Sequence, residues 1–111
     1  MRILFVDKDL MLACTDAAVG RCRWGADCIK IIRRRLDDLE AADTLEDMRS
    51  LRGARCHELI GDRSGTLSVD VKGPFRLVFR PAEDSIPRKL DGGLNWAKVK
   101  SIIVLEVVDY H

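Results

Sequence analysis

The hydrophobic period changes once along this chain, at Gly53, and that switch limits the folds open to it. Before Gly53, apolar residues recur at helical spacing; after it, they alternate with polar ones. Cys28, Ile29, Ile32, Leu36 and Leu39 form one stripe, the pattern of a helix lying on a core, with Asp27 as its expected N-cap. Ahead of it, Leu10, Met11, Cys14, Ala17 and Ala18 keep the same period. Asp7 and Asp9 are start signals there, and Gly20 is the expected end. Met1 to Val6 is a run of branched apolar residues and reads as a first strand at a sheet edge.

Thr44 and Asp47 have capping-box spacing and predict a short helical turn. Past Gly53, Arg55 to Ile60 is a strand candidate, followed by a turn cluster at Gly61 to Gly65. Leu67, Val69 and Val71 alternate with Thr66, Ser68 and Asp70. After the Lys72-Gly73-Pro74 turn, Phe75, Leu77 and Phe79 alternate with Arg76, Val78 and Arg80. This is a meander with one apolar and one polar face. Ser101 to Val108 is almost continuously apolar, which predicts a central strand covered on both faces. The expected fold is α+β, one domain over 1–111, with N-terminal helices packed on one face of a small antiparallel sheet. Residues 81–98, with Pro81, Pro87, Gly92 and Gly93, read as a long insertion loop that can cover a site, dock a partner or be neutral.

Composition narrows the class. A chain of 111 residues with 47% hydrophobic and 33% charged residues is globular. It has no apolar run near the ~20 residues of a membrane-spanning helix. Asp7 and Asp9 interrupt the first apolar run too early for a signal peptide, so the expected location is cytoplasmic, with no membrane partner. Cys14, Cys22, Cys28 and Cys56 lack metal-site spacing; reduced thiols without a metal or cofactor are expected. The net charge of +1 weighs against a grip on nucleic acid through bulk charge. Residues 1–48 carry eight basic and ten acidic side chains, and residues 49–111 eleven and eight, so the second part is mildly basic. Arg33 to Arg35, followed by Asp37 and Asp38, read first as a solvated helix face with Arg33 paired to Asp37. A basic ridge for RNA or a partner is the sharper alternative.

The polar face of the meander carries Arg76 and Arg80, His57 lies on the strand before it, and the chain closes on Asp109, Tyr110 and His111. These residue types suit metal-free RNA cleavage by the 2′-hydroxyl. A base removes the 2′ proton, a cation balances the phosphorane charge, and an acid protonates the leaving 5′ oxygen. Histidine is suited to proton transfer near neutral pH, and the arginine fork to phosphate. The bland alternative is a surface histidine, solvated arginines and a frayed terminus.

The H-x-L-x-G-D-R-x-G run at 57–65, the R-[ILV]-x-F run at 76–79 and the closing D-Y-H follow an arginine-rich helix and a capping-box turn. In that order, over roughly 25–80 and 101–111, the chain resembles the HigB-like branch of the RelE/ParE toxin superfamily of type II toxin–antitoxin pairs. The resemblance implies a ribosome-dependent endoribonuclease that cuts mRNA. It also implies a small helix-turn-helix antitoxin partner that binds operator DNA, with the toxin reaching that DNA only through it. By the same resemblance Arg76 stabilises phosphate, His57, Tyr110 and His111 move protons or position substrate, and Asp109 orients a neighbour. Arg63 and Arg80 are assigned to substrate binding. Where relatives often carry a lysine before the G-D-R turn, this chain has Ile60; either activity is reduced or Arg63 substitutes as the cation. Two alternatives stay open: a catalytically weak RelE-fold module that only pairs with its antitoxin, and a ParE-like gyrase inhibitor.

Overall fold

The computed structural model describes residues 1–109. Five strands form one sheet: β1 (Arg2–Phe5), β2 (His57–Glu58), β3 (Leu67–Asp70), β4 (Phe75–Pro81) and β5 (Ser101–Asp109). Their spatial order is β1-β5-β4-β3-β2. β2, β3, β4 and β5 pair antiparallel, as the alternation predicts, and β1 joins the edge in parallel with β5. The architecture is therefore α+β with a mixed sheet.

Three helices precede the meander: α1 (Lys8–Thr15), α2 (Ala17–Trp24) and α3 (Ala26–Ala41). Asp7 caps α1 by accepting from the Leu10 N–H at 2.8 Å. The first helical period is split by Asp16, which ends α1 and caps α2 by accepting from Ala18 N–H at 2.9 Å. Gly20 accordingly does not end a helix. It lies buried inside α2, where an added Cβ would sit 2.3 Å from Ile29 Cδ1. Asp27 is in the first turn of α3 rather than at its N-cap, which is Gly25 at φ +93°. The Asp27 carboxylate instead pairs with Lys72 at 2.9 Å, and that hydrogen bond and charge hold its carboxyl below the usual carboxylate value.

The stripe of α3 is buried throughout: Cys28, Ile29, Ile32, Leu36 and Leu39 face a core that includes Leu67, Val69, Leu77, Phe79, Ile102 and Val104 from the sheet. Each such aliphatic or aromatic side chain contributes about 1.5–3 kcal/mol on burial. The arginine run pairs differently from expectation. Arg35, not Arg33, makes its ion pair, with Asp38 at 3.3 Å. Arg35 also donates to the Asp70 carbonyl at 2.7 Å and the Gly53 carbonyl at 2.9 Å, so it ties α3 to the far end of β3.

Central β5 is fully covered on one face and only partly on the other. Ile102 and Val104 are buried, while Ile103 and Leu105 are half-buried, because the helices pack on the opposite side of the sheet. Its pairing with β4 is interrupted: Val78 opposes Glu106 and Phe79 opposes Val104, which leaves Leu105 as the extra residue of a bulge. The 81–98 segment is more than a loop. Arg88 and Leu94 form a bridge, Lys89 N–H donates to the Gly93 carbonyl at 2.8 Å, and Leu94 and Trp96 are buried in the core. Trp96 donates its Nε1–H to Glu58 at 3.0 Å, and the Arg49 guanidinium stacks 3.9 Å from its ring centre. Among the described residues, no helix is long and apolar enough to cross a membrane.

Candidate active site

The helix-free face of the sheet collects the polar side of the meander. Strand register places His57 opposite Ser68, Ser68 opposite Val78, and Asp70 opposite Arg76. Because side chains alternate, His57, Ser68, Asp70, Arg76, Val78 and Arg80 share this face. Arg76 and Arg80 flank Val78 along β4 by about 7 Å each way, and His57 stands about 10 Å across the sheet from Val78. Two strand pairings thus set His57, Arg76 and Arg80 on one face of the sheet.

β2 is shorter than the Arg55 to Ile60 expectation, and the reason is local. Arg55 adopts a left-handed backbone at φ +46°, which ends extension just before His57. A non-glycine residue in that region is strained by about 1–2 kcal/mol, and such strain concentrates at functional sites. The bend turns the Arg55 carbonyl onto the imidazole, with His57 Nδ1 2.7 Å from that oxygen. A carbonyl oxygen only accepts, so Nδ1 carries the proton. In the neutral ring, Nε2 then presents its lone pair at the exposed surface.

Arg76 is held by one ion pair and two backbone carbonyls. Its Nε lies 2.9 Å from the Asp70 carboxylate, and its Nη1 donates to the carbonyls of Gly73 at 3.0 Å and Phe75 at 2.9 Å. Arg55 approaches the same carboxylate at 3.7 Å. Asp70 is three-quarters or more buried at its side chain, so the guanidinium is oriented from below by a poorly hydrated carboxylate. The Nη2 donors of Arg76 remain, among the described residues, for an incoming anion.

Arg63 lies 2.5 Å from Glu106 on β5, so its cation is partly compensated. Arg80 is exposed and donates to the Pro81 carbonyl at 3.2 Å. Asp109 sits at the end of β5 opposite Phe75, which places it in register with the core-facing side rather than with Arg76. Tyr110 and His111 lie outside the described residues. Ile60 is 87% exposed beside the Gly61–Arg63 turn and brings no charge there. The residues that sequence reasoning missed are Asp70 and Glu106, the two carboxylates that engage the arginines. Asp70 was visible as a polar member of the β3 alternation, whereas the bulge that sets Glu106 opposite Val78 has no local signal.

No curated protein matches the chain. In the solved structures, a YoeB/ParE toxin from Agrobacterium tumefaciens superposes with a TM-score of 0.54 at 15% identity, over 100% of this chain and 99% of that one. At that identity the likeness is one of fold. The model of the HigB-like toxin family, described as the RelE-like toxin of the type II toxin–antitoxin system HigB, matches residues 21–91. That stretch takes in α3, the strained Arg55, His57, Asp70, Arg76 and Arg80. Spanning more than half of its length, the match places this chain in the HigB-like family of RelE-like toxins from type II toxin–antitoxin systems.

Proposed function

We propose that this toxin is a ribosome-dependent endoribonuclease that cuts mRNA without a metal. The observation that carries this reading is the His57–Arg55 hydrogen bond, which fixes the imidazole tautomer on the same sheet face as Arg76 and Arg80. In the reaction the RNA 2′-oxygen attacks the adjacent phosphorus and the bond from phosphorus to the 5′-oxygen breaks. The products are a 2′,3′-cyclic phosphate and a 5′-hydroxyl. His57 Nε2 is positioned to accept or return a proton, and Arg76 supplies charge to the phosphorane. Arg80 and Arg63 contact neighbouring phosphates. Tyr110 and His111 complete the set of proton-transfer and positioning groups, and Asp109, in register with the core-facing side, acts only by orienting a neighbour.

A toxin of this class has an antitoxin partner. We assign that role to a small helix-turn-helix protein, through which alone the toxin reaches operator DNA, and we place the toxin in the cytoplasm beside its ribosome target. The test is cleavage of mRNA on purified translating ribosomes, together with growth on induction without antitoxin. Cut mRNA and arrest in the wild type, both relieved by His57→Ala and Arg76→Ala, are expected. Arrest with intact mRNA and accumulating cleaved DNA would replace this reading with gyrase poisoning. Absence of both activities would leave an antitoxin-binding module, the outcome that Ile60 in place of a lysine favours.

A further inference from the structure

A cavity of about 630 Å³ opens where β4 ends, between residues 64–67 and the 81–98 segment. Its volume is within the about 300–1,000 Å³ of small-molecule sites. Its walls are unlike the flat face beside it. Pro81, Ile86 and Leu94 provide apolar surface, Arg80 and Arg88 provide two cations, and Glu58 provides a carboxylate. Gly65, at φ +90°, also lines it, and a Cβ added there would meet nothing within 4 Å.

Two features make this a built site. The segment that forms one wall is braced: Asn95 N–H donates to the Pro87 carbonyl at 3.0 Å, and Arg88 donates to the Gly92 carbonyl at 3.3 Å. The carboxylate is oriented as well, because Glu58 Oε2 accepts from the Trp96 indole at 3.0 Å and the ring is itself buried. That leaves Glu58 Oε1 and the second lone pair of Oε2 as acceptors. The cavity straddles the end of the sheet: Glu58, opposite buried Leu67, enters it from the helix side, and Arg80 enters it from the reaction face. Arg80 belongs to both cavity and face, since it lines the cavity and shares the β4 face with Arg76.

We infer that this cavity is the base-reading pocket for a nucleotide of the mRNA next to the cut, and that Glu58 selects a base with donor groups on its pairing edge. Guanine fits best. Its ring N–H and exocyclic amine are parallel donors matched to a carboxylate, its flat ring suits the Ile86 and Leu94 walls, and its phosphate suits Arg80 and Arg88. Uracil puts carbonyl oxygens on that edge and meets the carboxylate with repulsion. This reading rests on the ribonuclease proposal for its substrate, but the pocket can be tested apart from cleavage.

The experiment follows the two tryptophan indole N–H signals by NMR in the purified toxin, titrated with GMP and with UMP. Trp96 bonds to Glu58, while Trp24 lies on α2 and serves as the internal control. GMP is expected to shift the Trp96 signal and spare Trp24, with an affinity about tenfold above that of UMP. Glu58→Gln keeps an acceptor for Trp96, so its fold is expected to hold, and it should abolish the preference. Equal responses to the two nucleotides, or no Trp96 response to either at millimolar concentration, would overturn the pocket. If GMP binds as stated but ribosomal mRNA stays intact, the ribonuclease reading fails while the pocket stands. If mRNA is cut with no base preference in the wild type, the pocket fails while the ribonuclease reading stands.

Discussion

The Asp70 carboxylate lies 2.9 Å from Nε of Arg76, with the two side chains 18% and 23% exposed. The pair sits on directly opposed residues of β3 and β4, so the sheet register itself delivers the contact. An arginine meant to receive a phosphate gains direction from such a partner and gives up part of its net charge. The burial matters, because a fully exposed pair at the same distance would hold its geometry only weakly.

Asp70→Asn is therefore expected to slow cleavage without abolishing it. The amide keeps the shape of the carboxylate but loses the charge that pairs with Arg76 and keeps the fork in place. A drop of about tenfold is expected for Asp70→Asn and of about 10²- to 10³-fold for Arg76→Ala, the range for removing one transition-state donor. Single-turnover cleavage on programmed ribosomes measures both. Equal rates for Arg76→Ala and wild type would remove Arg76 from the chemistry.

The α3 stripe was legible because five side chains at helical spacing can only meet a core together, and all five are buried. The β3–β4 alternation was legible for the same kind of reason, and by itself it sets Arg76 and Arg80 on one face. Three features were not. The break at Asp16 competes with a continuing apolar period, and a side-chain cap decided it. The shortening of β2 comes from the single left-handed residue Arg55, a backbone state that its side chain does not announce. The unequal cover of the two faces of β5 depends on which side the distant helices choose, and an apolar run such as Ile102 to Leu105 looks the same either way. Of the site, residue types were readable, but the carboxylates that orient the arginines needed the register.

Gly20→Ala is expected to destabilise the fold. The new Cβ would lie 2.3 Å from Ile29 Cδ1 and 2.5 Å from the Ala13 carbonyl oxygen, and the second neighbour is backbone. The contact between α1, α2 and α3 must open, at a cost of about 2 kcal/mol. Urea unfolding gives the value. A midpoint unchanged from wild type would show that the helices can separate freely there.

Burial of two thiols predicts a loss of stability in alkali. It pushes Cys14 up from 9.0 to about 11 and Cys56 up to about 12, with Arg23 and Arg49 offsetting only part of the shift. Below the unfolded-state value both thiols are neutral in either state and the fold is unaffected. Above it the unfolded chain binds fewer protons than the folded one, so stability falls as pH rises from about 9 towards 11 and 12. Urea midpoints between pH 8 and 11 are expected to decline less steeply in Cys56→Ala than in wild type. Identical slopes would exclude Cys56 as a contributor.

Free RNA should bind weakly. Arg63 and Arg76 are each engaged by a carboxylate, and the whole chain carries only +1. With so few unpaired cations on the face, the slope of log affinity against log salt should stay below about 2 in magnitude. Fluorescence anisotropy with a short single strand, read from 50 to 200 mM salt, measures it. A steep slope with tight binding would mean that the toxin captures naked RNA through its exposed basic residues instead of meeting it on the ribosome.

His57 separates proton transfer from folding. Its ring is exposed, and its one hydrogen bond among the described residues is to the Arg55 carbonyl, so His57→Ala removes little packing and leaves no buried group unpaired. Urea stability should change by less than about 0.5 kcal/mol. Cleavage should fall by about 10²- to 10⁴-fold, the usual contribution of a positioned acid or base. His57→Asn divides the effect further, because its amide can still donate to the Arg55 carbonyl but supplies no titrating nitrogen at Nε2. If Asn and Ala are equally slow, the ring works through proton transfer; if Asn restores the rate, the residue only positions the Arg55 bend. A variant that loses stability in parallel with activity would assign His57 to the fold instead.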